Sequence, residues 1–155
     1  RGTLAECIRS LSGREFDCVL MSNLLHLLRD TRSVLRECNK LIRDGGALIL
    51  SGYNFDFLPH LLKRRLGIGD YRILDDFNQS GVSPQGISSV KWELQHAGFR
   101  VESTHWFNPF VPNSLPYLRH WPGQLVKRNW TISARRVGSC DTHLNHDQLS
   151  APIED

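Results

Sequence analysis

Residues 16–51 read FDCVLMSNLLHLLRDTRSVLRECNKLIRDGGALILS. Phe16, Cys18, Val19, Leu20 and Met21 form a nearly unbroken apolar run. A strand without alternation is expected to be covered on both faces, in the middle of a parallel sheet. Val34, Leu35, Cys38, Leu41 and Ile42 then recur at helical spacing, with Arg32, Arg36, Glu37, Asn39, Lys40 and Arg43 in the other positions. Asp30 stands where an N-cap belongs, Lys40 and Arg43 bring positive charge to the carbonyl end, and Gly45 is expected to supply a left-handed C-cap. Ala47 to Leu50 is a second, wholly apolar strand. The unit is strand, helix, strand, with a right-handed crossover. Ligands in such sheets sit at the carboxyl ends of the strands, which here are Met21-Ser22-Asn23 and Ser51-Gly52-Tyr53-Asn54.

The 155 residues, 40% of them hydrophobic, suffice for one domain with its own core. No apolar run approaches the roughly 18–20 residues that span a bilayer, and no basic-then-apolar signal opens the chain. A soluble, cytoplasmic protein is therefore expected, without a membrane partner. Cys7, Cys18, Cys38 and Cys140 are scattered and read as reduced thiols, with Cys18 and Cys38 at buried positions. The net charge is +3, but the last 17 residues hold four acids and no Lys or Arg, which leaves the body at +7. Because the basic residues are spread over several elements, they read as solvated faces rather than as a nucleic-acid site.

Around the central unit, Leu4, Cys7, Ile8 and Leu11 predict a short helix over residues 3–11, and Leu24, Leu25, Leu27 and Leu28 one or two helical turns that carry His26. Leu58, Leu61, Leu62 and Leu66 share one face of a helix over 58–66, with Pro59 in its first turn and Gly67 and Gly69 at its end. Residues 70–81 read as an ordered loop anchored by Tyr71, Ile73, Leu74 and Phe77. Ser83-Pro84 starts a helix that Ala97-Gly98 stops, with Ile87, Val90, Leu94 and Ala97 at core spacing. Phe99–Phe107 is a strand. Residues 108–123 hold four of the seven prolines and read as irregular. Asn129–Val137 alternates like a half-exposed antiparallel edge strand, and 138–155 reads as a disordered tail.

Taken in order, FDCVLMSNLLHLL, LIRDGGALILSGYN, RRLGIGDYRILDDF and LQHAGFRVE resemble the C-terminal half of class I S-adenosylmethionine-dependent methyltransferases, in their small-molecule branch. The resemblance covers about Phe16 to Val137. It implies an α/β, Rossmann-like sheet, truncated at its N-terminal side, whose last two strands form an antiparallel hairpin. The family's Gly-rich cofactor loop and acidic ribose ligand have no counterpart here. The chain opens at Arg1, and the expectation is a partial methyltransferase domain, residues 1–137, of a longer enzyme. Residues 1–155 alone are then expected to bind cofactor less tightly than a complete enzyme, and to expose an apolar sheet edge that invites self-association.

Carried onto this sequence, the resemblance puts Met21, Ser22, Asn23, Leu25 and His26 at the cofactor, S-adenosylmethionine. Tyr53, Asn54 and Phe55 belong to the acceptor side. Methyl transfer from a sulfonium needs in-line positioning more than acid catalysis, because the leaving thioether is neutral. For a hydroxyl acceptor a base helps, and His26 is the best-placed catalytic candidate. Gly67-Ile68-Gly69-Asp70 follows a polar helix end rather than a strand, so it does not read as a nucleotide loop. Cys140, His143 and His146 lack apolar support, and no metal site is expected. The expected function is methyl transfer to a small or carbohydrate-linked acceptor. A cofactor-free binding or scaffold module and an RNA-directed methyltransferase are the alternatives. Against the latter, the turn after the second strand reads Gly-Tyr-Asn rather than a Pro-Pro-Tyr type motif.

Overall fold

The computed structural model describes residues 4–107 and 127–137. The proline-rich segment, the tail and the Cys140–His146 cluster singled out above lie outside them. Chain order is α1 (Leu4–Ser10), β1 (Phe16–Ser22), a 3-10 turn (Leu25–Leu27), α2 (Thr31–Leu41), β2 (Ile42–Tyr53) and α3 (Leu58–Arg65). A second 3-10 turn (Gly69–Arg72), α4 (Phe77–Ser80), α5 (Ile87–His96), β3 (Phe99–Phe107) and β4 (Asn129–Arg136) follow. Thus the 70–81 loop contains a 3-10 turn and a helical turn, the latter capped by the Asp76 side chain accepting from Asn78 N.

The four strands form one sheet in the order β1-β2-β4-β3. β1 and β2 are parallel, with Ser22 opposite Ser51. β4 is antiparallel to both its neighbours. It was expected at an edge, but it lies between β2 and β3, which puts β3 outermost among the described strands. The physical sense is in the burial: Trp130, Ile132 and Ala134 are all buried, as an interior strand requires, whereas Arg100 and Glu102 on β3 are exposed. β1 departs from expectation too. Among the described residues it is an edge strand, and Leu20 is 69% exposed. Cys18, expected to be buried, is also exposed. An apolar run reports that a strand's faces want cover, not which cover is present.

Asp30 caps α2 as expected, its Oδ1 accepting from Ser33 N at 3.0 Å. The helix, however, ends at Leu41, with Ile42 already extended as its C-cap. Gly45 has a φ of 72° but serves the strand rather than the helix. Between the pairs Phe16↔Ile42 and Cys18↔Ala47 the register shifts, so β2 carries extra residues against β1. A positive φ eases such a bulge, and the Arg43–Asp17 ion pair straps it to β1.

α5 begins at Ile87 rather than at Ser83: residues 83–86 are not helical, and Gly86, in an extended conformation, is the N-cap. Its expected face is buried throughout: Ile87, Val90, Leu94 and the following Ala97 join Leu35, Ile42, Leu48, Leu50, Phe99 and Ile132 in one core. Burying each such side chain favours folding by about 1.5–3 kcal/mol. α3 behaves differently. No residue of it is buried, and Leu62 and Leu66 are 52% and 69% exposed. Its apolar stripe is real, but the described core does not reach it.

Candidate active site

The carboxyl ends of β1 and β2 lie side by side. Asn23 N donates to Ser51 O at 2.9 Å, and the Ser22 and Ser51 hydroxyls are 3.0 Å apart. Asn23 takes a φ of 49°, a left-handed conformation that Asn tolerates better than most residues. It turns the chain off the strand and into the 3-10 turn that carries His26. That turn is held from the other side, since Ser83 N donates to His26 O at 2.7 Å. Ser22 and Asn23 are exposed at this rim, while Met21 and Leu25 are buried beneath it at 5% and 3% exposure.

At the end of β2, Tyr53 meets the His26 ring edge-on, with centroids 5.2 Å apart. Phe55 lies 6.1 Å from the same ring. Asn54 is 1% exposed. Its Nδ2 donates to Lys127 O at 2.6 Å and its Oδ1 accepts from Asp56 N at 3.0 Å. Asp56 Oδ2 in turn accepts from Ile87 N at 3.3 Å. Asn54 thus ties the segment before β4, the turn after β2 and the start of α5 together.

His26, Tyr53, Asn54 and Phe55 line one cavity of about 390 Å³. Its far wall is made by His60, Asp70, Tyr71, Leu74, Val82 and Arg128. None of the far-wall residues was singled out for the site from the sequence, where Tyr71 and Leu74 read only as loop anchors. Gly67 and Gly69, at φ of 60° and 59°, reverse the chain after α3 and lay the second 3-10 turn against that helix. Hence His60 Nδ1 and the Tyr71 hydroxyl share a hydrogen bond, with the two rings stacked at 5.5 Å. The glycine pair between an aromatic-flanked helix and an aromatic-rich loop was the available signal.

Burial lowers the pKa of His26 below the ordinary histidine value. His60 is lowered as well, first by burial and then by the positive charges of Arg128 and Lys63. Both imidazoles are therefore held toward the neutral form, able to accept a proton. Cys38, by contrast, is buried and pushed up to about 11, which makes it an inert core thiol. Among the described residues no cluster of His, Cys, Asp and Glu could hold a metal, and no helix is long and apolar enough to cross a membrane.

The parallel pair extended by an inserted antiparallel strand, with a cavity at the strand ends, is the arrangement that the resemblance to S-adenosylmethionine-dependent class I methyltransferases implies. A family model described as a methyltransferase domain matches residues 5–104, and the chain belongs to that family. A crystal structure of a SAM-dependent methyltransferase from Archaeoglobus fulgidus superposes with a TM-score of 0.60 at 14% identity, covering 88% of this chain and 66% of that one. Among curated proteins, polyketide synthase 19 of Gibberella fujikuroi is 46% identical over 44 residues, 28% of this chain. The reducing polyketide synthase grgA of Penicillium sp is 41% identical over 64 residues, 37% of this chain. The matches take in only 2% and 3% of those two proteins' own length.

Proposed function

We propose that this chain, as part of a longer enzyme, transfers a methyl group from S-adenosylmethionine to a small-molecule acceptor bound between the β1 and β2 ends and the wall formed by His60 and Tyr71. The observation that carries the reading is that His26, Tyr53 and Phe55 share one cavity at the strand ends, where open α/β sheets bind their ligands. The cofactor supplies an electrophilic methyl group on a sulfonium. The residues present fit its methionine end. None of Met21, Ser22, Asn23 and Leu25 lines the cavity itself; Ser22 and Asn23 offer an exposed polar rim beside it, and Met21 and Leu25 are buried in the core. His26, between rim and cavity, is the base that takes the acceptor's proton. Tyr53 and Phe55 are ring walls beside the reacting centre, and Asn54 holds that wall in place.

Of the two acceptor types, the polyketide synthase relatives favour a polyketide-like carbon chain over a carbohydrate-linked one. We place the reaction in the cytoplasm, in line with the free thiols of Cys7, Cys18 and Cys38. Among the described residues the outer side of β1 has no strand partner, and we propose that it offers a pairing edge to a second copy, detectable as a concentration-dependent dimer in sedimentation. The decisive experiment is calorimetric titration with S-adenosylmethionine, paired with transfer of labelled methyl. Binding that weakens on replacing Ser22 and Asn23 by bulky residues supports the reading. If the longer enzyme that carries this chain neither binds the cofactor nor transfers methyl, the reading fails.

A further inference from the structure

The far wall of the cavity has a composition the methyl-transfer chemistry does not itself demand. His60 and Tyr71 are half-buried, hydrogen-bonded and stacked. Phe57 meets His60 edge-on at 5.1 Å, fixing the imidazole plane. Lys63, one turn further along α3, places its ammonium 5.7 Å from the Tyr71 ring centre. Arg128 lines the cavity from the segment before β4, and Asp70 from the second 3-10 turn. Tyr71 engages Nδ1, which leaves Nε2 as the imidazole atom for a ligand.

We infer that His60, Tyr71 and Arg128 form the acceptor-recognition subsite, and that it takes an oxygen acid, a phenol or an enolised carbonyl, by holding its oxygen as negative charge develops. The inference rests on the proposed methyl transfer and names the acceptor class for it. The groups facing His60 are Lys63 from its own helix, Arg128 from the strand approach, and Asp70 and Tyr71 from the 3-10 turn. The balance at the imidazole is positive, because Arg128 and Lys63 both oppose its protonation. A field that opposes a cation there favours an anion and disfavours an ammonium acceptor. The step balances as follows. The acceptor's proton moves to the His26 imidazole, and the electron pair it leaves attacks the methyl carbon. The carbon–sulfur bond breaks with its pair kept by sulfur, so a neutral thioether departs.

The test needs no cofactor. 4-Nitrophenol, whose phenolate absorbs in the visible, is titrated with pH in the presence of excess protein. Bound probe should ionise at lower pH than free probe, by half a unit or more. Lys63→Gln, at an exposed position that does not endanger the fold, should diminish that shift, and His60→Gln should diminish it further. Benzylamine should not displace the probe. Failure of the probe to bind, an unchanged or raised midpoint, or displacement by benzylamine would each overturn the inference. A shifted midpoint here, beside a longer enzyme carrying this chain that neither binds S-adenosylmethionine nor transfers methyl, would sink the methyl-transfer reading and leave the subsite standing.

Discussion

Gly52 and Trp130 face each other across the β2–β4 ladder so closely that a β-carbon on Gly52 would lie 2.7 Å from Cζ2 of the indole. The indole is fixed in that position, because its Nε1 donates to Tyr53 O at 3.0 Å. The missing side chain at Gly52 therefore sets how Tyr53 enters the cavity.

Gly52→Ala should destabilise the protein by about 1–3 kcal/mol through overpacking. Denaturant unfolding would register this as a lowered midpoint at unchanged slope. An unchanged midpoint would mean that the indole moves aside without cost.

Asn54→Ala removes the partner of Lys127 O and the acceptor for Asp56 N in a buried position. A loss of about 1–3 kcal/mol is expected for groups left unsatisfied there. Asn54→Asp keeps the acceptor but sets a carboxylate oxygen against Lys127 O in a buried position, and should cost at least as much as Asn54→Ala. If both variants matched the wild type, the amide would not be tying these segments together.

Stability should fall with acid in a window set by His26 and His60. An unfolded histidine protonates near pH 6.5, whereas both folded pKa values are lowered. As pH drops below about 6.5 the unfolded chain therefore binds protons first, and stability is lost until the folded pKa values are passed. Above that window the contribution is fully present. Melting temperature measured from pH 8 to 5 should show this slope, and the double variant His26→Gln/His60→Gln should flatten it.

His26→Ala should depress methyl transfer about 10²-fold or more while leaving affinity for S-adenosylmethionine nearly intact. Single-turnover assays beside calorimetry would separate the two effects. Equal losses in rate and affinity would assign His26 to packing alone.

Where a segment's burial follows from its own periodicity, the sequence was readable. α2 and α5 have the faces their spacing predicts, because each packs on the structure beside it. The Ser22/Asn23 and Tyr53/Asn54 ends came together for the same reason, since parallel neighbours joined by a crossover must end on one side. What escaped the sequence depended on partners far along the chain. The interior place of β4 is set by pairing with both β2 and β3, which no local pattern reports. Gly45 carried the expected left-handed conformation, yet in a bulge opposite Phe16–Cys18 rather than at a helix end. The His60–Tyr71 wall arises from the reversal at Gly67 and Gly69, and 11 residues separate its two rings. Nothing in the composition of α3 alone announces that a histidine there faces the cavity.

The insertion of β4 between β2 and β3 also fixes an order of events. β3 is parallel to β2 in direction but has no hydrogen bond to it; every rung that joins β3 to the sheet passes through Asn129–Arg136. Until β4 has been synthesised and threaded home, β1 and β2 can pair while β3 has no ladder hydrogen bond to them. Closing the sheet therefore waits on contacts between residues such as Ala47 and Arg135, far apart in sequence, and such closures are slow. A ribosome paused before Asn129 would present a half-made sheet with two unsatisfied strand edges, and that interval is when the chain is most exposed to mispairing.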